Sequence, residues 1–553
     1  GPWEEDWGEL NVGKRPPALF VLKVDDMSVC VVPGLPDDTS CGQPVWEPSG
    51  DAVVFVGWAH QASNFPQSAM RLGVVYCYNR PCHLWRALVE NSRGKAACLT
   101  EELASAHAPR FSPDGSKLVF LSWQQAATTG VHNSTATLMC MDWPKVGTPE
   151  VVVPVLKTPE AASGFPGIYA GFGSLMIDTP FLDNDTLILG TQWRSTMAII
   201  MVNLQAKSVK RLSPSDGVRP TYSLIAASGG LLVAAASGPT APPQIVVART
   251  YSSTVDSSEL EWHLLPLGPQ PSAGLADTAL GRLEHHILQV TPTLPGLTNL
   301  PFEAIVIRPK GDGTGPTVLI PHGGPHHAYP TAYVMSFAFL AACGYTVVLV
   351  NFRGSTGFGE DSVQSLPGNI GTQDVSDCMD ALAAAVAAGY SNTSRVAVCG
   401  GSHGGFLTGH LVGQHPSTFK AGILRNPVMD LGLMVYCSDI PDWTFVEAWG
   451  TKDGMAKFKP RPDPQDLERF YQVSPIRYVN DVKTPLLFML GAKDHRVTWN
   501  DAKHYMSTIQ SRSDAPPVSA WLFPDDTHAL DCPQTEFEQW LCTAWWLKQH
   551  CDE

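Results

Sequence analysis

The apolar positions change their rhythm once along the chain. Up to about residue 283 they come in short β-rich runs broken by Gly, Pro, Asn and Asp, with no helical period sustained over 12 residues. This predicts an all-β half. The runs also repeat: Trp46-Glu47-Pro48-Ser49-Gly50-Asp51 leads into Ala52–Phe55, and Phe111-Ser112-Pro113-Asp114-Gly115-Ser116 leads into Lys117–Phe120, at a constant offset of 65 residues. A degenerate third copy runs from Phe181 through Asp183-Asn184-Asp185 to Leu187–Leu189, and a fourth centres on Gly229-Gly230. Strand pairs of a second kind lie between these turns, at 19–24 with 29–32 and at 198–202 with 209–212. One hairpin of each kind per repeat makes a four-stranded unit, the blade of a β-propeller. A β-sandwich would also yield short strands but gives no reason for a repeated turn. About four units are recognisable, the low end for such rings.

After Phe302 strands and helices alternate. Runs at 316–321, 345–350, 396–399, 486–490 and 518–523 are apolar and β-branched, as expected of strands buried on both faces. Val375, Met379, Leu382 and Val386 recur at helical spacing, as do Phe537, Trp540, Leu541, Ala544 and Leu547. This predicts a mostly parallel α/β sheet, with a hinge at 280–300 and domains at 1–283 and 284–553. The 28 residues from Thr221 to Ala248 carry no charge, but their glycines and prolines predict two short strands around a Gly-Gly turn rather than a membrane helix.

The chain of 553 residues is 44% hydrophobic and 16% charged, enough apolar material for two cores. Its net charge of −15 repels nucleic-acid backbones and anionic lipid surfaces, so neither is an expected partner. Thirteen cysteines form no C-x-x-C pair, and Cys343 and Cys399 sit in apolar runs, which points to a reducing compartment. The Asn-x-Ser/Thr triplets at Asn133, Asn184 and Asn392 are read as chance matches. No metal-ligand cluster or nucleotide loop is recognisable, so no metal or cofactor is expected.

Gly400-Gly401-Ser402-His403-Gly404 matches G-x-S-x-G directly after a predicted strand and before a predicted helix, where the pattern has a mechanical meaning. A serine hydroxyl needs a strained turn and room for a base, and small neighbours provide that room. In this fold the partners follow in the order Ser, acid, His, at the ends of later strands. Asp494 follows the strand at 486–490 and His528 follows the last strand, so Ser402, Asp494 and His528 are the expected triad. Asp430 is the rival acid, while Asp525 and Asp526 are too close to His528 to orient it. His403 and His495 are expected to have side chains in supporting or surface positions. The oxyanion donors are expected at the backbone of His403 and at Gly324, in the loop His322-Gly323-Gly324-Pro325. By themselves these residues indicate a serine hydrolase; an esterase or lipase would carry the same elbow, and a catalytically idle β-propeller scaffold is the alternative of another class.

The stretches HGGPH at 322–326, NFRGSTGFG at 351–359, GGSHGGF at 400–406, SDIPDW at 438–443, SPIRY at 474–478 and GAKDHRV at 491–497 together resemble the acylaminoacyl peptidase branch of the prolyl oligopeptidase family. The resemblance implies an α/β-hydrolase domain behind a β-propeller. It implies hydrolysis of short N-acylated peptides to release an N-acyl amino acid, with an oligopeptidase or aminopeptidase of the same family as the alternative. It also implies a cytosolic, homo-oligomeric enzyme, and matches Ser402, Asp494 and His528 to the family triad. Two departures stand out: the chain starts at Gly1, partway into the family pattern, so missing blades are expected, and His495 stands where Arg is expected. The propeller is expected to cap the cleft and restrict entry to short peptides.

Overall fold

A computed structural model describes residues 5–60, 70–90, 94–145, 147–170, 176–250, 260–266, 278–296, 298–311 and 313–551. In the first half every sheet is antiparallel with its strands in chain order. A hairpin of β1 (Phe20–Lys23) and β2 (Ser28–Val31) comes first. A four-stranded sheet follows, of β3 (Thr39–Trp46), β4 (Ala52–Ala59), β5 (Cys82–Leu88) and β6 (Ala97–Cys98). Next come β7 (His107–Phe111), β8 (Lys117–Ser122), β9 (Thr137–Asp142) and β10 (Glu150–Val153). The fourth sheet holds β11 (Thr186–Trp193), β12 (Thr196–Asn203) and β13 (Ser208–Arg211). The fifth holds β14 (Thr221–Ser228), β15 (Leu231–Gly238), β16 (Ala241–Arg249) and β17 (His263–Leu264).

The sequence repeat is a repeat of hydrogen bonds. Glu47 N–H donates to Ala52 and Gly50 N–H to Glu47; Ser112 N–H donates to Lys117 and Gly115 N–H to Ser112, the same pair of bonds in the next sheet. Gly50 and Gly115 hold φ of 81° and 71°, a left-handed geometry that costs glycine little. Because strand side chains alternate, each central strand feeds two cores. Val53 and Phe55 pack toward the first hairpin, Val54 and Val56 toward Leu118 and Phe120. Val119 and Leu121 pack toward Leu187 and Leu189, and Ile188 toward Leu232 and Ala234. The sheets therefore stack face to face in series.

The uncharged segment at 221–248 forms three strands rather than two. Pro242 and Pro243 do not stop β16, which pairs with β15 from Ala241↔Gly238 to Arg249↔Leu231, with a register shift between Ala236 and Gly238 that accommodates the proline end.

The second half is one eight-stranded sheet of β18 (Leu283–Val290), β19 (Phe302–Pro309), β20 (Thr317–Pro321), β21 (Thr346–Asn351), β22 (Val396–Gly401), β23 (Ala421–Arg425), β24 (Leu486–Gly491) and β25 (Val518–Phe523). Its order is β18-β19-β21-β20-β22-β23-β24-β25, parallel from β21 onward. Helices Gln373–Ala387 and His403–Gln414 cover one face; Met335–Ala342 and Pro533–His550 cover the other. Part of the segment expected as a hinge at 280–300 is a strand instead: β18 pairs with β19 in unbroken register from Leu283↔Pro309 to Val290↔Phe302, so tertiary pairing makes a strand of a weakly patterned run. Cys343 is likewise not in a strand but exposed just past the helix Met335–Ala342, whereas Cys399 is buried in β22. Among the described residues no helix is long and apolar enough to cross a membrane.

Candidate active site

The glycines around Ser402 are there because backbone occupies the space a side chain would need. A methyl group on Gly400 would lie 2.1 Å from the Gly404 carbonyl oxygen, and one on Gly404 would lie 2.4 Å from that of Pro321. β22 and the helix that follows can therefore meet closely enough to force a sharp turn between them. Ser402 occupies that turn with φ 57° and ψ −122°, left-handed backbone that a non-glycine residue rarely adopts. Its amide donates to Arg425 of β23 at 2.9 Å, which ties the strained residue to the sheet.

Asp494 and His528 follow the ends of the neighbouring parallel strands β24 and β25, where loops cluster over the carboxyl edge of such a sheet. His528 Nδ1 lies 2.7 Å from Asp494 Oδ2. The other oxygen of Asp494 accepts the amides of Arg496 and Val497 at 2.8 and 2.7 Å, so the carboxylate is buried and fixed at both ends. Ser402 and His528 line one cavity of about 380 Å³, and Gly323, Gly324 and Arg496 line it too. Gly324 has φ 123°, a conformation reserved for glycine, and a methyl on Gly323 would come within 3.4 Å of the Ser402 Cβ. The glycine loop therefore passes directly over the serine.

Asp430 is not at this site. It caps the helix Leu431–Cys437, its side chain accepting from Gly432 N–H at 2.8 Å. Asp525 pairs with Lys493 on the surface and Asp526 accepts from Cys532 N–H. His495 is exposed, and Arg496 beside it supplies a guanidinium buried against Asp439 at 2.7 Å. The His403 side chain is fully buried, its Nε2 2.9 Å from Asp374 Oδ2.

Two residues that tie together the loops of Asp494 and His528 escaped sequence reading. Asn426, just past β23, donates to the His528 carbonyl at 2.8 Å and accepts from Gly491 N–H at 2.8 Å, linking the acid strand to the histidine loop. Glu9, only 2% exposed, accepts the amides of both His495 and His528 at 2.9 Å. A segment from the far end of the chain thus clasps the loops carrying acid and imidazole. The only available signal was an acidic residue in an otherwise apolar tetrad, Trp7-Gly8-Glu9-Leu10, which is too weak to act on.

The first half supplies the opposite wall of the cavity through Tyr76, Tyr78, His132 and Asn133. Asn133, one of the Asn-x-Ser/Thr asparagines, is buried and donates to the His326 carbonyl. The wall is locked to the second half by a buried ion pair, Arg80 with Asp442 at 2.6 Å. Burial holds His132 and His322 well below the ordinary imidazole pKa. Burial also opposes a charge on His326, but the adjacent Glu447 carboxylate more than offsets it and raises that pKa.

The family described as acylamino-acid-releasing enzyme, N-terminal domain, matches residues 1–276, and the prolyl oligopeptidase family matches residues 331–553. The chain is 41% identical over 576 residues to acylamino-acid-releasing enzyme 1 of Oryza sativa subsp. japonica, covering 100% of this chain and 73% of the relative. It is 35% identical over 551 residues to the acylamino-acid-releasing enzyme of Homo sapiens, covering 99% and 71%. Among solved structures, the Pyrococcus horikoshii acylaminoacyl peptidase superposes with a TM-score of 0.69 at 15% identity, covering 96% of this chain and 73% of that one. A puromycin-hydrolyzing peptidase of Mycobacterium tuberculosis gives 0.66 at 17% identity, covering 97% and 83%; at these identities the likeness is one of fold. With a serine on a strained strand-to-helix turn, a carboxylate-held imidazole in the same cavity and relatives of this identity over its whole length, the chain belongs to the acylamino-acid-releasing enzymes of the prolyl oligopeptidase family, which are serine peptidases.

Proposed function

We propose that this chain is a serine exopeptidase that cleaves short N-acylated peptides after the first residue, releasing an N-acyl amino acid, with Ser402, Asp494 and His528 as its triad. The observation that carries the reading is the 2.7 Å bond between His528 Nδ1 and Asp494 beside a strained Ser402 in a shared cavity. With Nδ1–H donating to the carboxylate, Nε2 is the free base that takes the Ser402 proton as Oγ attacks the scissile carbonyl. The backbone amides of His403 and Gly324 receive the oxyanion. His528 then protonates the leaving amine, and water, activated by the same imidazole, releases the N-acyl amino acid. Asp494 stays ionised and stabilises the imidazolium.

The chain divides at 283/284 in this reading, and the serially stacked sheets of the first half are propeller blades. They wall the cavity from the side opposite Ser402, which limits entry to short flexible peptides. Phe537, Leu541 and Trp545 form an exposed apolar stripe on the last helix, which packs on the sheet over β23 and β24. That apolar face supports self-association into a homo-oligomer. The reducing compartment inferred from cysteine usage is the cytosol.

Hydrolysis of N-acetyl-alanyl and free alanyl chromogenic amides, side by side with Ser402→Ala, tests the reading. The acetylated amide should be preferred and the variant inactive. Preference for the free amine would make the chain an aminopeptidase, and failure of a fluorophosphonate to label Ser402 would leave no activated serine.

A further inference from the structure

Three side chains that the serine chemistry leaves unused meet at the edge of the cavity. His132 lies in the loop after the short helix Gln124–Thr129, His326 in the loop after β20, and Glu447 in the helix Pro441–Trp449. One ligand-capable atom of each lies within 4.8 Å of the other two, and all three residues are buried. No sequence spacing announces this group, since its members come from three distant segments.

The hydrogen bonding of the cluster is incomplete in a specific way. His326 Nδ1 is 2.9 Å from the Gly354 carbonyl, which fixes the proton on Nδ1 and turns the Nε2 lone pair toward Glu447 Oε1, 3.1 Å away. A lone pair facing a carboxylate needs a cation between them. A proton on Nε2 would satisfy that pair alone. It would leave two other buried atoms, His132 Nδ1 and Glu447 Oε2, without a hydrogen-bond partner among the described residues. These side chains are 9% and 0% exposed, and unsatisfied polar atoms at such depth are rare in folded proteins. A single divalent ion, taking one atom from each residue, would accept both imidazole lone pairs and neutralise the buried carboxylate.

We propose that His132, His326 and Glu447 form a binding site for a divalent transition-metal ion of the zinc class, with a fourth coordination position open to the cavity of Ser402. Two imidazoles and a carboxylate with one open position is a familiar zinc set, and a carbonyl holding the far nitrogen of His326 is the outer support that metal-bound histidines carry. Bonds of roughly 2.0–2.2 Å place tetrahedral ligand atoms about 3.4 Å apart. His326 and Glu447 already meet this, and the His132 side chain closes the remainder. His132 and His326 both line the cavity, so an ion can reach the site and, once bound, narrows the space for the peptide. Its effect on the proposed hydrolysis is therefore inhibition, a role that rests on that reading; the site itself does not.

Metal-stripped Ser402→Ala protein titrated with Zn²⁺ against a chromogenic chelator tests the site without needing activity. One equivalent should bind, with affinity falling at least about 100-fold in His132→Ala and in His326→Asn, since losing even an outer partner of a ligand costs roughly 10–100-fold. His528→Ala should bind as the parent does. Exposed thiols add the same background to each protein. The ion should also raise the melting temperature of the parent and not of His132→Ala, a second readout that needs no chelator. Equal uptake by parent and His132→Ala overturns the site. Loss of uptake in His528→Ala instead places the ion on the triad imidazole and also overturns it. In the active enzyme, Zn²⁺ should inhibit the wild type, with recovery on chelation, and spare His132→Ala; binding with unchanged hydrolysis overturns the inhibitory role.

Discussion

At Ser402 the backbone is held at φ 57° by steric pressure from neighbouring chain segments, and the glycines at 400 and 404 are what admit that pressure. Gly404→Ala would drive a methyl into the Pro321 carbonyl. The expected outcome is a folded but misassembled elbow, read as loss of fluorophosphonate labelling at Ser402; normal labelling would show that the turn does not depend on this approach. Asp494→Asn preserves shape but not charge and invites the wrong imidazole tautomer. The kcat for an acetyl-alanyl amide should fall about 10⁴-fold, as at the equivalent position of serine proteases. Glu9→Ala removes the acceptor shared by the His495 and His528 amides. Misplacement by about 1 Å costs on the order of 10²-fold, so kcat should drop by that order while KM changes little. A change confined to KM would make Glu9 a substrate contact instead.

The elements around the site owe their stability to buried polar groups as well as to apolar packing. His410, in the helix His403–Gln414, is fully committed as a neutral ring. Its Nε2–H donates to the Val473 carbonyl, and its Nδ1 accepts from Gln414. Burial lowers its pKa from 6.5 to about 4. His107, buried in β7, is likewise lowered to about 4. The unfolded chain takes up these protons first as the solution is acidified. The stability they contribute is thus intact above about pH 6.5 and is lost as pH falls toward 4. Each pKa unit corresponds to 1.36 kcal/mol, so urea unfolding should show a loss of about 2 kcal/mol per histidine between pH 7 and 5. His410→Gln should flatten that slope, and an unaltered slope would exclude His410 as a contributor. The helix and strand periods were plain in the sequence where both faces of an element are buried, as in β20 to β24. They were not plain for β18, an edge strand whose partner alone decides its conformation, nor for β16, the third strand of a segment that reads as two.

Across the whole molecule the cavity exists because two differently built halves close on each other. Arg80 and Asp442, 3% and 1% exposed, form the buried ion pair at that junction. Removing one partner strands the other charge, a change that typically costs about 3–5 kcal/mol. Asp442→Asn should therefore lower the urea midpoint substantially, whereas replacing both residues with apolar ones of similar size should recover much of the loss. Additive losses in the double variant would mean that the pair is not coupled. A cavity walled on one side by the first half also predicts that a stable folded protein is cut far more slowly than an acetylated tripeptide; comparable rates would remove the filtering role proposed for the stacked sheets.

The linear chain alone determined which residues could react and roughly where the elements lie. The elbow pattern and the repeated turn at 47–52 and 112–117 are short local patterns, and the order Ser402, Asp494, His528 follows from where each stands after its strand. Tertiary structure decided which groups meet. It made Asp430 a helix cap, and it brought Glu9 and Asn426 to the loops that carry Asp494 and His528. It also gathered His132, His326 and Glu447 into one buried cluster from three distant segments. Such encounters depend on how sheets stack and halves close, and those contacts between distant residues leave no periodicity in the sequence to read.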